Sequence, residues 1–144
     1  MKKIVIISLL FFFTSFSINA QEWLTDLDQA KVISAKENKN IVLVFQGSDW
    51  CAPCIKLDKE IWSTNEFKNY AKEHFVMLQA NFPRKKKNKL ETLQQQKNNE
   101  LAEKYNKQGF FPHVVVLNKK GNVLGRTGYK KVSPTEYIKL LASF

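Results

Sequence analysis

The sequence contains few cysteines, and this scarcity excludes the small disulfide-rich folds. There are 2 cysteines among 144 residues, whereas a disulfide-dense scaffold needs several pairs. The chain must therefore be held together by a hydrophobic core. Its composition, with 44% hydrophobic and 12% aromatic residues, is sufficient for such a core and differs from that of a disordered chain. The length fits one domain, and the sequence shows no internal repeat.

Long hydrophobic runs are also missing. The longest, at residues 4–13, is shorter than the roughly 20 apolar residues that a bilayer core of about 30 Å requires. It follows Lys2 and Lys3 and precedes polar and small residues that end in Ala20, which is the pattern of a secretory signal peptide. We predict that residues 1–20 are a signal peptide cleaved after Ala20, and that the mature chain has no integral membrane segment. A membrane anchor is the alternative, and the short run argues against it.

Acidic residues are outnumbered in the predicted mature chain, residues 21–144. It keeps 21 of the 23 Lys and Arg and all 13 Asp and Glu, a net charge of +8. Five positive charges lie within residues 84–89, here called the basic segment. Such a run is typical of a solvated loop, and the alternative is that it steers an acidic partner or a membrane surface. Nucleic acid is not an expected partner, because the chain is predicted to be exported and no aromatic residues are interleaved with these charges.

Apolar runs and helical stripes alternate along the mature chain and predict an α/β fold. Unbroken apolar runs at residues 41–45, 75–78 and 114–117 are typical of buried strands. Turn residues at 119–122 predict a hairpin to a further strand at Val123. Helix signals, including capping boxes at Ser63 and Ser133, predict helices that begin near Asp26, Cys51, Ser63, Leu101 and Ser133. Together they predict a central mixed sheet of four or five strands flanked by helices.

The motif WCAPC, at residues 50–54, lies where a predicted buried strand ends and a helix begins. Backbone N–H groups and the dipole at a helix start favour negative charge, so the pKa of the Cys51 thiol is expected to fall from about 8.5 to about 3.5–7.5. Cys54 lies one turn later on the apolar face, where burial raises the pKa of a thiol. We therefore predict an accessible, reactive Cys51 and a shielded Cys54. Cys51 would attack a substrate disulfide, and Cys54 would then attack the mixed disulfide.

Two alternatives to redox chemistry exist for this cysteine pair. The same spacing forms half of a zinc site, but the sequence has no second cysteine pair, and His74 and His113 lack ligand spacing. An inert structural disulfide would close so short a loop that it adds little stability. We expect no metal, and no cofactor besides the redox-active Cys51–Cys54 disulfide.

These residues resemble the active-site signature of the thioredoxin superfamily. A second match is GFFP at residues 109–112, directly before the strand at 114–117, and a less specific one is Gly128 in the loop after the hairpin. Residues 75–81 and the spacing after Cys54 resemble the exported C-terminal domain of thiol:disulfide interchange reductases and small secreted thioredoxin-like proteins. The resemblance covers nearly all of residues 21–144 and implies a thioredoxin-like fold.

The resemblance also implies roles for individual residues. Cys51 and Cys54 correspond to the catalytic pair, and Pro112 to a cis proline that faces it. A cis bond there would present the Phe111 N–H and C=O to an extended substrate chain, as in β-augmentation; an ordinary proline at a strand start is the alternative. Trp50 is either a substrate-facing aromatic or a core residue.

One departure from the family concerns the proton acceptor. Thioredoxin itself carries a buried aspartate six residues before the first cysteine, and this chain has Phe45 there, which is also suited to core packing. Asp49, Glu60 or water would have to replace that carboxylate. His113 either tunes Cys51 or is a polar residue at a strand start. Residues 84–99 resemble an insertion.

The predicted function is thiol–disulfide exchange outside the cytoplasm, in the periplasm or after secretion. The Ala-Pro pair between the cysteines resembles the reducing members of the superfamily, which favours reduction or isomerisation of disulfide-containing proteins. Reduction without a cytosolic reductase needs electrons from a membrane thiol donor. We expect a monomer. The alternative is a non-catalytic module that binds peptides or anionic partners.

Overall fold

A five-stranded sheet forms the centre of the computed structural model, which describes residues 21–144. The signal peptide predicted for residues 1–20 lies outside the described residues. No helix in the described part of the chain is both long and apolar enough to cross a bilayer. The elements, in chain order, are β1 Trp23–Leu24, α1 Leu27–Glu37, β2 Asn40–Gln46, α2 Ala52–Leu57, α3 Asn65–His74, β3 Phe75–Asn81, α4 Thr92–Tyr105, β4 His113–Leu117, β5 Val123–Thr127 and α5 Pro134–Ala142.

The strands lie in the order β1-β3-β2-β4-β5. β1, β3 and β2 are parallel, whereas β4 is antiparallel to both β2 and β5. This mixed sheet with flanking helices confirms the predicted α/β class. In its register Phe45 pairs with His113 and Gln46 with Asn81. The end of β2, the end of β3 and the start of β4 therefore meet at one edge of the sheet.

Helices cover both faces of the sheet, and the alternation of side chains along β2 separates two cores. Ile41, Leu43 and Phe45 pack against residues of α1 and α4. Val42 and Val44 pack against residues of α2, α3 and α5. Because both faces of β2 are buried, its sequence is continuously apolar, as predicted for a central strand.

Side-chain caps begin four of the helices: α1, α2, α3 and α5. Asp26 caps α1 by accepting the Gln29 N–H at 2.9 Å, and Ser133 forms the predicted capping box of α5. The predicted capping box at Ser63 is wrong. Thr64 caps α3 instead, accepting the Phe67 N–H at 3.2 Å. The Ser63 N–H is bonded to Asp58, within a π-helical segment, Asp58–Trp62, that continues α2.

Two parts of the fold differ from the sequence prediction in extent. β1, whose Trp23 pairs with Met77, was not predicted. α4 begins at Thr92, well before the apolar stripe predicted near Leu101. Glutamine side chains along this polar first part donate hydrogen bonds to the Asn or Glu side chain four residues later, which supports the helix where apolar residues are few. These pairs are Gln94–Asn98, Gln95–Asn99 and Gln96–Glu100.

Candidate active site

The two cysteines form a disulfide where β2 passes into α2. After β2 the chain turns at Gly47, whose C=O accepts the N–H groups of Trp50 at 3.2 Å and Cys51 at 2.9 Å. Cys51 is the N-cap of α2 and is bonded to Cys54, with 5.2 Å between their Cα atoms. Pro53 lies in the first turn, where its missing N–H leaves no helical bond unmade. The strand–turn–helix context predicted for the motif is confirmed.

The two sulfurs differ in hydrogen bonding and not in exposure. Cys51 is 4% exposed and Cys54 is 3% exposed, so the predicted contrast in accessibility is absent in this oxidised form. The backbone N–H of Cys54, however, donates to Sγ of Cys51 at 3.3 Å. An N–H group at a helix start stabilises negative charge on the atom it faces. The asymmetry between the cysteines therefore comes from the backbone of α2.

Trp50, which directly precedes Cys51, is half-buried. Its indole N–H donates to the Phe82 carbonyl at 2.7 Å, and its ring meets the Phe111 ring edge-on with centroids 5.4 Å apart. The guanidinium of Arg84 lies 3.7 Å above the indole. Gly47 makes this packing possible, because a Cβ there would lie 2.2 Å from the indole. Trp50 is therefore packed on several sides, and the alternative that it faces substrate stays a prediction.

The Phe111–Pro112 peptide bond is cis, as the resemblance implies. Phe111 contacts both Trp50 and Phe82 by ring edges, with centroids 5.4 Å and 5.6 Å away. This aromatic packing brings the residue before the proline next to the active-site turn. Within residues 21–144, no backbone hydrogen bond uses the N–H or C=O of Phe111. Gly128 closes the other side, since a Cβ there would lie 3.3 Å from the Pro112 carbonyl.

Phe45 and His113 lie on the sheet face that packs against α4. Phe45 is fully buried, and its ring centroid is 6.1 Å from that of His113. Burial lowers the pKa of His113, although a hydrogen bond with the backbone of Tyr105 opposes this effect. His113 lines a cavity with Tyr105 and Arg126, and no cysteine lines it. These contacts favour the interpretation of His113 as a polar residue at a strand start.

Asp49 is not free to replace the missing buried carboxylate. It accepts the N–H groups of Arg84 at 2.9 Å and Lys85 at 3.0 Å, and the side-chain amide of Asn88 at 2.9 Å. These bonds hold the pKa of Asp49 below its ordinary value of 3.8, and the bond from the Arg84 N–H has the largest effect. A carboxylate with a lowered pKa is a poor proton acceptor. Asp49 instead attaches the basic segment to the active-site turn.

Glu60 is bonded to Tyr129, and Asp58, which the sequence analysis did not single out, lines a cavity with Cys54. The Tyr129 hydroxyl donates to Glu60 at 2.7 Å, and this bond raises the pKa of Tyr129. Asp58, by contrast, shares a cavity of about 210 Å³ with Cys54, together with Gln46, Ser48 and Ile55. Its position four residues after Cys54 puts it on the same helix face, and this spacing was the signal available in the sequence.

Metal ligation has little support in residues 21–144. Among them, no group of three or more His, Cys, Asp or Glu side chains is placed to hold an ion. The two thiols that could have contributed to such a group are bonded to each other.

Two known proteins with similar sequences are named as a disulfide bond reductase and a thioredoxin-related protein. The disulfide bond reductase DsbH of Chlamydia pneumoniae is 37% identical over 110 residues, which are 76% of this chain and 64% of that protein. The thioredoxin-related protein DsbJ of Chlamydia pneumoniae is 28% identical over 106 residues, 74% of this chain and 30% of that protein. The chain therefore spans less than two thirds of the length of either relative.

Structural comparison agrees with the sequence comparison. A solved structure of DsbH oxidoreductase has a TM-score of 0.78 to this chain at 35% identity, and the match covers 85% of this chain and 82% of that one. This similarity confirms the predicted thioredoxin-like fold. Residues 27–144 match the sequence family described as the thioredoxin-like domain. The chain belongs to that family.

Proposed function

We propose that this protein is an exported thiol–disulfide oxidoreductase that reduces or isomerises protein disulfides through Cys51 and Cys54. The observation that carries the proposal is the bonded cysteine pair at the start of α2, with the Cys54 N–H directed at Sγ of Cys51. A cysteine pair of this kind is kept reactive by a thiolate stabilised at one position. The name of one relative, a disulfide bond reductase, supports the same class of reaction.

The reaction proceeds by two exchanges in the reduced protein. The Cys51 thiolate attacks one sulfur of the substrate disulfide, forming a Cys51–substrate disulfide and releasing the other substrate sulfur as a thiolate that takes up a proton. Cys54 then loses its proton and attacks Sγ of Cys51. The second substrate sulfur leaves and is protonated. The substrate gains two electrons and two protons, and the protein is left as the Cys51–Cys54 disulfide.

Asp58 is our candidate for the acceptor of the Cys54 proton. It lines the same cavity as Cys54, and the other polar groups there are those of Gln46 and Ser48. A cavity of about 210 Å³ is large enough to hold water, which would connect the thiol to the carboxylate. Asp58 would act in place of the buried aspartate that Phe45 replaces.

Substrate binding is proposed at the backbone of Phe111. Its N–H and C=O have no hydrogen-bond partner within residues 21–144. An extended substrate segment would pair with these groups as an added strand, a contact that does not depend on substrate side chains. Trp50 holds Phe111 in position by edge-on packing.

The proposal also includes the direction of the redox reaction, the cellular location and the oligomeric state. We propose reduction as the main direction, supported by the Ala-Pro pair and by the printed name of the reductase relative. Residues 1–20 direct export to the periplasm or out of the cell, and a membrane thiol protein returns electrons to the disulfide. The protein acts as a monomer on disulfide-containing proteins. A mature chain beginning at Gln21, detected by mass spectrometry of the exported fraction, tests the export step.

The enzymatic step is tested by dithiothreitol-driven reduction of insulin, followed by turbidity. Wild type is expected to accelerate precipitation, while Cys51→Ser falls to the rate without protein. Cys54→Ser is the matched variant: it is expected to accumulate a disulfide-linked adduct with insulin. If wild type and Cys51→Ser precipitate insulin equally slowly, the enzyme proposal is lost. If Cys51→Ser/Cys54→Ser still binds protein partners under reducing conditions, that result would then favour the alternative of a non-catalytic binding module.

A further inference from the structure

The basic segment is fixed beside the active-site turn and does not extend freely into solvent. The Asp49 carboxylate accepts hydrogen bonds from three groups of the basic segment: the backbone N–H groups of Arg84 and Lys85 and the side-chain amide of Asn88. The Arg84 guanidinium stacks on the ring of Trp50, 3.7 Å from the ring centroid, and Trp50 directly precedes Cys51 in the chain. A third contact joins the same two regions, because the Trp50 indole donates to Phe82. The segment is therefore a rigid part of the active-site surface.

The positive charges of this segment are not neutralised by neighbouring carboxylates. Arg84 and the four lysines of residues 84–89 are all exposed. No ion pair within residues 21–144 includes any of them. The carboxylate of Asp49 is bound by backbone and amide N–H groups, so one negative charge faces five positive ones. A surface with such an excess attracts negative charge in its partner.

We propose that the basic segment recognises acidic residues next to the disulfide in the substrate, and so selects acidic substrate proteins. This inference rests on the proposed function. A substrate chain bound along Phe111 passes Trp50, and the Arg84 contact places the basic segment immediately beyond the indole. Acidic side chains flanking the substrate cysteines would then lie within reach of lysines 85–89. The attraction increases the encounter rate of the correct substrates and changes little once the chemistry has begun.

A protein segment fits this position better than a membrane surface. The charges lie on the same edge of the sheet as the end of β2 and the start of β4, where the disulfide and Phe111 are also located. Docking this edge on a flat bilayer would cover the disulfide. A peptide, in contrast, can contact the lysines and Cys51 together.

The test compares two peptides, each with one intramolecular disulfide, that are identical except for Glu or Gln beside the cysteines. Prereduced protein is mixed with each peptide, and the second-order rate constant is measured by acid quench and chromatography. The variant is Lys86→Ser/Lys87→Ser, which leaves the three Asp49 contacts in place. The matched control is Lys119→Ser/Lys120→Ser, which removes the same charge from the β4–β5 turn. That turn follows the end of β4, where Leu117 pairs with Ile41 near the start of β2. It therefore lies at the edge of the sheet opposite to the disulfide, which follows the end of β2.

In wild type and in the control, the Glu peptide is expected to react faster than the Gln peptide. In Lys86→Ser/Lys87→Ser the Glu:Gln ratio should fall by about threefold to tenfold at about 0.01 M salt, where the Debye length is about 30 Å. At about 1 M salt, where that length is about 3 Å, the ratios of all three proteins should converge.

Equal ratios in the variant and the control at low salt would overturn the inference. So would an unchanged ratio combined with loss of binding to phosphatidylglycerol–phosphatidylcholine vesicles in the variant alone, which would assign the segment to lipid headgroups. Failure of the proposed function is a different result, because then neither peptide would be reduced by wild type at all.

Discussion

The backbone N–H of Cys54 points at Sγ of Cys51, 3.3 Å away, while nothing equivalent within residues 21–144 points at Sγ of Cys54. Both residues are nearly inaccessible in the disulfide form, at 4% and 3% exposure. Because a backbone N–H at the start of α2 donates to one sulfur alone, the two cysteines are chemically unequal although their exposure is nearly the same. We expect the same N–H to face the Cys51 thiolate once the disulfide is reduced, and to stabilise it.

We predict from this relationship that the pKa of Cys51 is lower than the ordinary thiol value of about 8.5 in the reduced protein. The rate of alkylation by iodoacetamide should reach half of its plateau below that pH. Cys54 should react more slowly across the range, because the Cys54 N–H stabilises a thiolate at Cys51 and no hydrogen bond within residues 21–144 does so at Cys54. Peptide mass spectrometry after timed quenching gives both rates.

Cys54→Ser is the control for this measurement, since it leaves Cys51 as the single thiol and prevents disulfide formation. Its alkylation profile should keep the lowered midpoint, because the serine at position 54 retains its backbone N–H. Equal and slow alkylation of both cysteines in reduced wild type would contradict the proposed mechanism.

A second prediction concerns Asp58, which lines the cavity beside Cys54. Asp58→Asn removes the carboxylate and keeps the size of the side chain, so attack by Cys54 on the mixed disulfide should slow by about a hundredfold, at the low end of what a general base contributes. Formation of the mixed disulfide by Cys51 should change little. Rapid quench and gel analysis of the Cys51-linked adduct separates the two steps.

Asp58→Glu is the matched variant, because it retains a carboxylate on the same helix face. It should resolve the adduct faster than Asp58→Asn does. If both variants release substrate at the wild-type rate, water alone accepts the proton and Asp58 has no part in the reaction.

The central elements could be predicted because local sequence decides them. The apolar run of β2 and the Ser133 capping box are readable within a few residues, and both are confirmed. The reactive pair was equally local, since the turn, the N-cap and Pro53 all lie within one short segment. Contacts of this kind need no knowledge of the rest of the chain.

The remainder depends on partners distant in the chain. β1 has two residues and exists because Trp23 pairs with Met77. The contact of Asp49 with Arg84 spans 35 positions and joins two turns that look unrelated in the sequence. Thr64 rather than Ser63 caps α3, because the Ser63 N–H is already used by the preceding π-helical segment. The first two outcomes depend on contacts between distant residues, and the third depends on a π-helical segment that the sequence analysis did not predict.

A third prediction follows from the contact between Gly47 and Trp50. A Cβ at position 47 would lie 2.2 Å from the indole, which Phe82, Phe111 and Arg84 hold in place. Gly47→Ala should therefore lower the free energy of unfolding by about 1–3 kcal/mol, as overpacking does. Urea denaturation measures this loss. The indole N–H signal of Trp50 should also shift in a ¹⁵N NMR spectrum, assigned by its absence in Trp50→Phe.

Gly109→Ala provides the contrast. Gly109 has φ of +68° and nothing within 4 Å of the position that a Cβ would occupy. This variant should lose about 1–2 kcal/mol through backbone strain alone, and the Trp50 signal should stay in place. If Gly47→Ala leaves both stability and that signal unchanged, the close packing described for the indole is incorrect.

The last prediction concerns pH and the bonds that Asp49 makes to the basic segment. Its carboxylate has a pKa below the ordinary 3.8, because Arg84 and Asn88 donate hydrogen bonds to the charged form. A group whose pKa is lowered by folding adds stability above its unfolded pKa, and this stability is lost as the pH falls through the folded value. Asp49→Asn removes the charge, so wild type should exceed the variant in stability near neutral pH.

That difference should shrink as the pH falls below about 4, the region in which the unfolded chain takes up its protons. Urea midpoints of both proteins between about pH 2.5 and pH 7 measure it. Asp28→Asn is the control, because the Asp28 side chain is 91% exposed and makes a single ion pair, with Lys31 at 3.5 Å. Its midpoint should stay nearer to that of wild type throughout. A difference between Asp49→Asn and wild type that is constant, or that grows in acid, would mean that the Asp49 charge does not hold the basic segment.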